Sequence, residues 1–346
     1  MRKLLRYSFL ALVFLGLLSG ILLYNNPYIL LDPFIERQAG SSPFRSELLA
    51  EEEGIRIITI GTAAPLPSER AQNSTAVFVN GHFFVFDVGV GAVANMERFG
   101  LPLNELDGVF ISHWHSDHFL DLPYLLNRSW QFGRKGELAC YGPTGIDSIF
   151  KGIESFLHLE NKYRIAHHGP ETMDPASALG KPLEIDTEGK DSKVIYEEAG
   201  IKITAILVDH APIDPAYAFK IEYAGKSVLI SGDTKSNENL KKHAEGVDIL
   251  IHEVLHMEMI QKIGKAVEES GNERNAKILQ DVLDYHTSPA EVAKLAQEAA
   301  VKKLIFSHMG PAPDLWLMKR AYEKSVDGLF EGPIVFANDG DEFFIP

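Results

Sequence analysis

The residues best suited to chemistry in this chain form the run His-Trp-His-Ser-Asp-His at positions 113–118. The run directly follows an apolar segment, Val109–Ile111, of the kind that forms a buried strand. Imidazole and carboxylate groups are the ligands that a borderline divalent ion such as Zn²⁺ prefers. If the backbone stays extended, His113 and His115 point the same way, whereas Asp117 and His118 face elsewhere and could serve a second ion. The run therefore predicts a metal site.

Three further apolar strands end in a residue of the metal-binding type. The strands predicted at 201–208, 228–231 and 304–307 lead to His210, Asp233 and His308. Because α/β proteins gather their sites beyond strand ends, these residues are expected to join the first run. Strands alternate with predicted helices throughout, which indicates a layered α/β domain. Together the candidate ligands are His113, His115, Asp117, His118, His210, Asp233 and His308.

The N-terminus is expected to be a targeting segment outside the folded domain. Arg2, Lys3 and Arg6 precede an uncharged, mostly apolar run from Tyr7 to Tyr24. The basic residues favour the cytoplasmic side, so everything after the run would be exported. We expect an uncleaved signal anchor in the inner membrane, with a cleaved signal peptide as the alternative. The chain then divides into an anchor or signal peptide at 1–24, a spacer at 25–54 and a periplasmic or otherwise extracytoplasmic domain at 55–346.

The composition narrows the remaining choices. The chain has 346 residues, of which 45% are hydrophobic, enough for a sizeable core. Its formal net charge of −15 opposes general binding of polyanions such as nucleic acids. Cys140 is the only cysteine, which excludes an internal disulfide and a cysteine-based zinc site. The polar stretch at 158–193 is predicted to be an irregular inserted loop or lid that shapes access to the site.

In these motifs the chain resembles the metallo-β-lactamase superfamily of metal hydrolases, most closely the branch of tRNase Z and the zinc-dependent arylsulfatases. The resemblance runs from Ile55 to the C-terminus and adds the motifs Gly61-Thr62 with Pro65, Arg70 and Ser74, Phe86-Asp87-Val88-Gly89, and Ser231-Gly232-Asp233-Thr234. It implies a four-layer αββα sandwich, preceded here by a signal-anchor helix. It also implies two Zn²⁺, or other divalent ions, with His113, His115 and His210 on the first, Asp117, His118 and His308 on the second, and Asp233 bridging both.

The implied reaction is hydrolysis by a hydroxide that bridges the two metal ions. Metal binding lowers the pKa of water to about 7, so the hydroxide forms near neutral pH. By the same resemblance, Asp117 also helps to orient the nucleophile, and His286 assists the leaving group or holds an anionic substrate. Asp87 is expected to support the ligands, and Glu253 is a further candidate from the same resemblance.

Three features argue against tRNA as the substrate. The Asp-Cys-Gly-Glu-Gly pattern of tRNase Z is here Asp-Val-Gly-Val-Gly at 87–91. The segment 151–193 has six basic against eight acidic residues, where tRNase Z has a Gly- and Lys-rich arm. Export would also separate the enzyme from tRNA. We therefore expect a small ester as substrate (an aryl sulfate, phosphodiester or lactone) and no nucleic-acid partner. We also expect a membrane contact through the N-terminal segment. The sequence leaves open whether the protein forms a homodimer.

The main alternatives are a tRNase Z-like phosphodiesterase or endoribonuclease and a non-catalytic metal-binding member of the fold. The second is weakened because all seven ligands are present. An oxygen-reducing di-iron relative is disfavoured because His113, His115 and His118 all remain, where such proteins carry a carboxylate. A zinc protease is disfavoured as well. The stretch His252–His256 matches His-Glu-x-x-His, but it follows a predicted strand instead of lying within a helix.

Overall fold

The computed structural model describes residues 2–39, 42–50 and 53–346, and the chain forms two compact units, Met1–Arg45 and Ser46–Pro346. The first unit contains helices α1 (Arg2–Asn25) and α2 (Tyr28–Ala39). No single helix in the described part of the chain is long and apolar enough to cross a membrane. Leu12–Asn25 and Tyr28–Arg37 meet that criterion only together, with a bend of 63° between them. The predicted signal anchor is therefore not confirmed, and the side chains at 2–6 and 8–11, on which part of it falls, lie outside the described residues.

The second unit is built around two seven-stranded sheets. The strands of the first are β1 (Ile55–Gly61), β2 (Ser74–Val79), β3 (His82–Phe86), β4 (Leu106–Phe110), β5 (Leu138–Gly142), β6 (Gly180–Glu184) and β14 (Glu342–Ile345). Those of the second are β7 (Ser192–Glu198), β8 (Ile201–His210), β9 (Ile213–Tyr223), β10 (Lys226–Ile230), β11 (Ile249–Leu255), β12 (Leu304–Gly310) and β13 (Ile334–Phe336). The spatial orders are β14-β1-β2-β3-β4-β5-β6 and β13-β12-β11-β10-β9-β8-β7.

Nine described helices complete the second unit. They are α3 (Ala92–Arg98), α4 (Ser116–Phe119), α5 (Leu122–Gln131), α6 (Ile146–His168), α7 (Glu238–Ala244), α8 (Met257–Glu269), α9 (Glu273–Asp281), α10 (Pro289–Glu298) and α11 (Trp316–Val326). The sequence predicts the start of α10 through a capping box. Ser288 Oγ accepts a hydrogen bond from Glu291 N, and Glu291 Oε2 accepts one from Ser288 N at 3.0 Å.

Three layers of apolar side chains hold the unit together, and they define a four-layer αββα sandwich. Alternate residues of β1 face opposite ways, so Ile57 packs between the two sheets while Ile58 packs against helices. Helices α3, α5 and α6 cover the outer face of the first sheet. Helices α7, α10 and α11 cover the outer face of the second. Both faces of each sheet are therefore buried, which is why the strands read as nearly continuous apolar runs.

The segment 158–193, predicted to be irregular, is largely regular. Helix α6 continues to His168 and ends where the N–H of Gly169 donates to the Ile165 carbonyl at 2.8 Å. Its first half is fastened by buried Ile153 and Leu157, and extending a formed helix adds one hydrogen bond for each residue fixed. After it, β6 pairs in parallel with β5. The interpretation of this segment as an insert that shapes access stays a prediction.

The folded domain begins before Ile55, the start that the sequence predicts. A 3₁₀ turn at Ser46–Leu49 belongs to the second unit, and its Leu48 is buried in the layer beneath the first sheet. The predicted spacer at 25–54 also includes helix α2. A short apolar anchor on a polar segment was too weak a pattern to separate from a linker by sequence alone.

The sheet topology brings the predicted strand ends to common edges. In the first sheet β3 and β4 are parallel, so the residues after both leave on the same side. In the second sheet β10, β11 and β12 are parallel, and β8 runs the same way because both it and β10 pair antiparallel with β9. The candidate ligands and their supports lie in the last residues of β8 and β12 and in the chain just beyond β3, β4 and β10. Long-range topology thus collects residues that are far apart in sequence.

Candidate metal centre

The run at 113–118 changes backbone conformation in the middle, which turns its side chains toward two positions. From Ile111 to His115 the chain continues β4 without regular structure, and then Ser116–Phe119 forms the one-turn helix α4. His113 Nε2 lies 2.9 Å from His115 Nδ1, as expected for alternate residues of an extended segment. Asp117 and His118 lie on the helix and are buried. The predicted separation into two pairs therefore has a backbone cause.

His210 joins the first pair from the second sheet. The pairing of β8 with β9 shifts register between Val208 and His210, a bulge that re-aims the side chain at the strand end. His210 Nε2 lies 3.2 Å from His115 Nδ1. On the other side of the ring, Nδ1 lies 3.0 Å from the carbonyl oxygen of Tyr285, which can only accept a hydrogen bond. The proton therefore resides on Nδ1, and the lone pair of Nε2 is free for a ligand bond.

Asp233 stands between the two groups. Its Oδ2 lies 3.8 Å from His113 Nε2 and 3.3 Å from His118 Nε2, and its Oδ1 lies 3.5 Å from His308 Nε2. The tight turn before it requires glycine, because Gly232 has φ +59° and a Cβ there would lie 2.5 Å from the Tyr217 carbonyl oxygen. One carboxylate is thus shared by both sets of histidines.

The second group consists of Asp117, His118, Asp233 and His308. His308 Nε2 lies 3.0 Å from Asp117 Oδ2, and His118 Nε2 lies 3.5 Å from the same oxygen. His308 has φ +45° and sits where the pairing of β11 with β12 shifts register. A histidine in this strained conformation is held by its surroundings, and such positions cluster at functional sites.

Asp87 supports the second group from behind, the role that the resemblance implies for it. Its Oδ2 lies 2.7 Å from His118 Nδ1 and accepts hydrogen bonds from Ser112 Oγ at 2.8 Å and Asn73 Nδ2 at 2.9 Å. Its Oδ1 accepts from the Ser112 N–H at 2.8 Å. The contact fixes the orientation of the His118 ring and leaves Nε2 directed at Asp117 and Asp233.

Burial keeps three imidazoles in the metal-binding form. It lowers the pKa of His113 well below its ordinary value, and it also lowers the pKa values of His115 and His210. Neutral imidazole is the form that coordinates a metal ion. These three side chains make up the first predicted ligand set.

The second group is held by opposite charges. Burial opposes ionisation of Asp233, but the charges of His118 and His308 outweigh burial and hold the pKa of Asp233 well below its ordinary value. Burial likewise opposes charge on His118, yet the carboxylates of Asp233, Asp87 and Asp117 raise its pKa well above the ordinary value. The lowered pKa of Asp233 keeps its carboxylate ionised, which suits it to bind cations.

The donor atoms fit divalent ions. Ligands about 2 Å from a tetrahedral zinc ion lie roughly 3.3 Å from one another. The donor atoms of the first group all lie within 4.8 Å of one another, with 2.9 Å between His113 and His115 and 3.9 Å between His210 and Asp233. His118 Nε2 and Asp233 Oδ1 are buried and make no hydrogen bond of good geometry within the described part of the chain. Such orphaned atoms are costly unless another partner takes them.

A third set of residues borders the centre: Glu253, His286 and His308. Glu253 Oε2 lies 3.3 Å from His286 Nδ1, and its Oε1 accepts from the Thr287 N–H at 2.9 Å. Burial opposes charge on His286, but the Glu253 carboxylate outweighs it and raises the pKa of His286 to about 9. The structure thus joins the two residues that the sequence comparison singled out separately.

The His-Glu-x-x-His stretch does not form a zincin site. Strand β11 continues past the predicted end at Ile251 and includes His252 and Glu253, whose side chains alternate. His252 is buried with Nδ1 2.6 Å from the Glu253 carbonyl oxygen, whereas His256 accepts from the Met259 N–H at the start of α8. Neither histidine belongs to a group of metal-type residues among those described.

A pocket of about 240 Å³ opens directly above the centre. His115, Asp117, Asp233 and His286 lie at its floor. Its wall is formed by Leu66, Leu255, Ile278, Leu279, Val282 and Tyr285. We call the whole pocket the apolar pocket. Most of the wall comes from the segment between β11 and α10, where the sequence analysis assigned no element. The amphipathic pattern of Met257–Glu269 is the sequence signal that could have predicted a helix in this segment. Only Ile260 of that helix is buried.

Comparison with known proteins agrees with this architecture. A family model described as a beta-lactamase superfamily domain matches residues 82–309. Ribonuclease Z from Mycolicibacterium gilvum is 30% identical over 263 residues, which cover 74% of this chain and 85% of the relative. The metallo-beta-lactamase fold protein YhfI from Bacillus subtilis superposes with a TM-score of 0.61 at 17% identity, covering 84% of this chain and 99% of that one. The short form of human tRNase Z superposes with a TM-score of 0.59 at 20% identity, with coverages of 84% and 99%. The chain therefore belongs to the metallo-β-lactamase superfamily, in the branch that holds ribonuclease Z, and is a metal-dependent hydrolase of ester bonds.

Proposed function

We propose that this protein is a two-metal phosphodiesterase and that its substrate is RNA. The observation that carries the proposal is the position of Asp233, whose two oxygens reach both ligand groups. The names of the ribonuclease Z relatives support RNA as the substrate class. They favour the ribonuclease alternative over the small ester that the sequence analysis preferred, and they weigh against its expectation of no nucleic-acid partner.

The proposed ions are two Zn²⁺. His113, His115 and His210 would hold the first, Asp117, His118 and His308 the second, and Asp233 both. A set rich in imidazole with a few carboxylates suits zinc among the common divalent ions. When bound, the two ions supply an activated water and stabilise the negative charge that develops on the attacked phosphorus.

The remaining steps fall to side chains of this chain. Asp117 lies on the pocket floor next to Asp233 and would accept a hydrogen bond from the attacking water, which fixes its direction. His286 lies on the same floor, with its ring oriented by Glu253. It would hold a phosphate oxygen and pass a proton to the departing ester oxygen.

A second candidate is a hydrolase of small aryl esters, such as phosphodiesters or aryl sulfates. The compact apolar pocket above the centre favours it, because a ring fits there and a folded RNA does not. The net charge of −15 also opposes a broad phosphate-binding surface.

The test compares both substrate classes on one protein preparation. The metal-loaded protein is incubated with a tRNA carrying a 3′ extension and with bis-p-nitrophenyl phosphate, before and after treatment with a chelator. The proposal expects cleavage of both substrates, loss with the chelator and recovery with Zn²⁺. Cleavage of the nitrophenyl ester alone selects the second candidate. Absence of any turnover in protein that binds two zinc ions overturns both and supports a binding module.

For the small-ester candidate we also propose that the N-terminal segment attaches the domain to the inner membrane and that the domain is exported. Support comes from the basic residues before the apolar run and from exposed large apolar side chains such as Leu12 and Phe34. A phosphatase reporter fused after residue 54 measures the location. Activity outside the cytoplasm is expected, and an inactive, cytoplasmic fusion contradicts export. Export would in turn favour the small-ester candidate over RNA.

A further inference from the structure

We propose that the apolar pocket is a subsite for one compact, uncharged aromatic ring attached to the phosphoryl group that the metal centre holds. The inference rests on the proposed phosphodiesterase function and names the chemistry of one substituent of its substrate. Two sources share that chemistry, an aryl group of a small ester and a single nucleobase of RNA.

The apolar pocket lies next to the metal centre. The pocket shares its floor with His115, Asp117 and Asp233, three of the proposed ligands. A group that extends from a phosphoryl held at the floor therefore enters the apolar walls directly.

The wall of the apolar pocket combines buried and exposed apolar side chains. Leu255 is 4% exposed and packs with Ile260 and Leu279 in a small apolar cluster of its own. Ile278, by contrast, is 46% exposed although it lines the pocket. An apolar side chain that stays exposed beside a polar floor gains burial once a ring covers it. Tyr285 adds an aromatic surface, since its ring centre lies 5.2 Å from that of His210.

The volume of the apolar pocket matches a single aromatic ring. A dry apolar cavity of about 150 Å³ is sufficient to bind benzene in other proteins. The volume here, about 240 Å³, accommodates one ring with its substituents. Stacked nucleotides need far more room, so the subsite takes a single ring.

His286 also lines a neighbouring depression of about 590 Å³. Its lining includes the polar side chains Lys235, Gln261, Asp284 and Glu291. His286 therefore separates an apolar side from a polar side. A phosphodiester bound there would place its ring on the first and its polar remainder on the second.

Two residues of the wall, Ile278 and Leu279, lie on α9 in the hairpin formed by α8 and α9, which makes the subsite testable. Helices α8 and α9 pack closely, because a Cβ at Gly264 would lie 3.5 Å from Leu279 Cβ. Ile278 and Ile263 both lie on this hairpin with similar exposure, 46% and 39%, but only Ile278 lines the pocket. Ile263→Asn is therefore a matched control for Ile278→Asn.

The experiment measures inhibition of bis-p-nitrophenyl phosphate hydrolysis by phenylphosphonate and methylphosphonate. Both carry the same anionic head, so the ratio of their inhibition constants isolates the ring. Phenylphosphonate should bind at least about tenfold more tightly to the wild type. Ile278→Asn should reduce the preference to about threefold or less, and Ile263→Asn should keep it. A second pair, uridine 5′-monophosphate and ribose 5-phosphate, distinguishes a nucleobase from an aryl group.

The outcomes separate this inference from the function beneath it. Turnover with equal binding of phenyl- and methylphosphonate overturns the subsite and leaves the phosphodiesterase intact. A preference that both asparagine variants retain also overturns it. A uridine preference that disappears with Ile278→Asn assigns the ring to a nucleobase, and a phenyl preference alone assigns it to an aryl group. Absence of chelator-sensitive turnover overturns the proposed function itself.

Discussion

Two histidine-rich stretches of this chain, each with a carboxylate, differ in whether their histidines reach the metal centre. The run at 113–118 and the stretch at 252–256 each contain at least two histidines and one carboxylate. The first contributes four side chains to the groups that could hold metal ions. Of the histidines and the carboxylate in the second, only Glu253 reaches the site, and it does so as the partner of His286. The difference lies in the backbone that carries them.

In the first stretch, an extended segment passes into a helical turn just as the strand ends. Side chains from both conformations can then converge at the edge of the sheet. In the second stretch, β11 continues, so His252 and Glu253 point to opposite faces of the sheet. His252 is buried with its ring against a backbone carbonyl, and His256 caps the N-terminus of α8. A histidine motif thus predicts a site only together with the backbone conformation that aims it.

The largest effect is expected when Asp233, the carboxylate shared by both ligand groups, is removed. Asp233→Ala should lower kcat/KM at least ~10³-fold, because both ions lose a ligand and several kcal/mol of transition-state stabilisation. Metal content, measured by mass spectrometry, should fall with it. Circular dichroism controls for folding. Full activity in this variant would contradict the assignment of the centre.

A smaller effect is expected where the second stretch does reach the site. His286→Ala should lower kcat by about 100-fold, since a proton donor or phosphate contact is lost, while bound metal stays unchanged. Glu253→Gln should produce part of the same loss. The double variant should be no worse than His286→Ala, because Glu253 acts through that histidine. Additive losses would show that Glu253 has a separate role.

The support behind the first stretch is tested by Asp87→Asn. The substitution keeps the shape but weakens the contact that orients His118, so metal affinity should fall about 10- to 100-fold. Competition with a chromophoric zinc chelator measures this affinity. Restoration of activity by excess Zn²⁺ would distinguish weakened binding from a collapsed site. Unchanged affinity would leave Asp87 with a purely structural role.

The smallest effect is predicted for the residue that completes the misleading motif. His256→Ala should change kcat/KM and metal content by less than about twofold. It should lower the free energy of unfolding by about 1 kcal/mol, because α8 loses its N-terminal cap. Thermal unfolding measures the second effect. Loss of metal in this variant would revive the zinc-protease interpretation.

Much of the fold was predictable because the strands are apolar on both faces. Asn80-Gly81, a dipeptide typical of tight hairpin turns, joins the antiparallel strands β2 and β3, and the capping box at Ser288 begins α10. These signals are local, since each depends on a few neighbouring residues. The structure also brings the seven predicted ligands together in two groups that share Asp233. Their assignment as ligands remains a prediction until metal is measured.

The two helical regions that the sequence did not predict were missed for the same physical reason. The helix over 158–168 and the hairpin of α8 and α9 are mostly polar and exposed, with a few apolar contacts each. Leu279 is the only buried residue of α9. Such segments draw their stability from packing on the rest of the domain, which a local pattern does not contain. The walls of the apolar pocket were therefore missed, although the floor was predicted.

Residue types and apolar periodicity were enough to predict the kinds of ligand available and the strands that deliver them, because both are local properties of the chain. Which candidates converge depends on long-range strand pairing. Pairing between distant strands sets the position of each strand end, and bulges and left-handed residues such as His308 aim the side chains. That geometry places His113 in the metal centre and buries His252 away from it, a difference that the local sequence pattern does not contain.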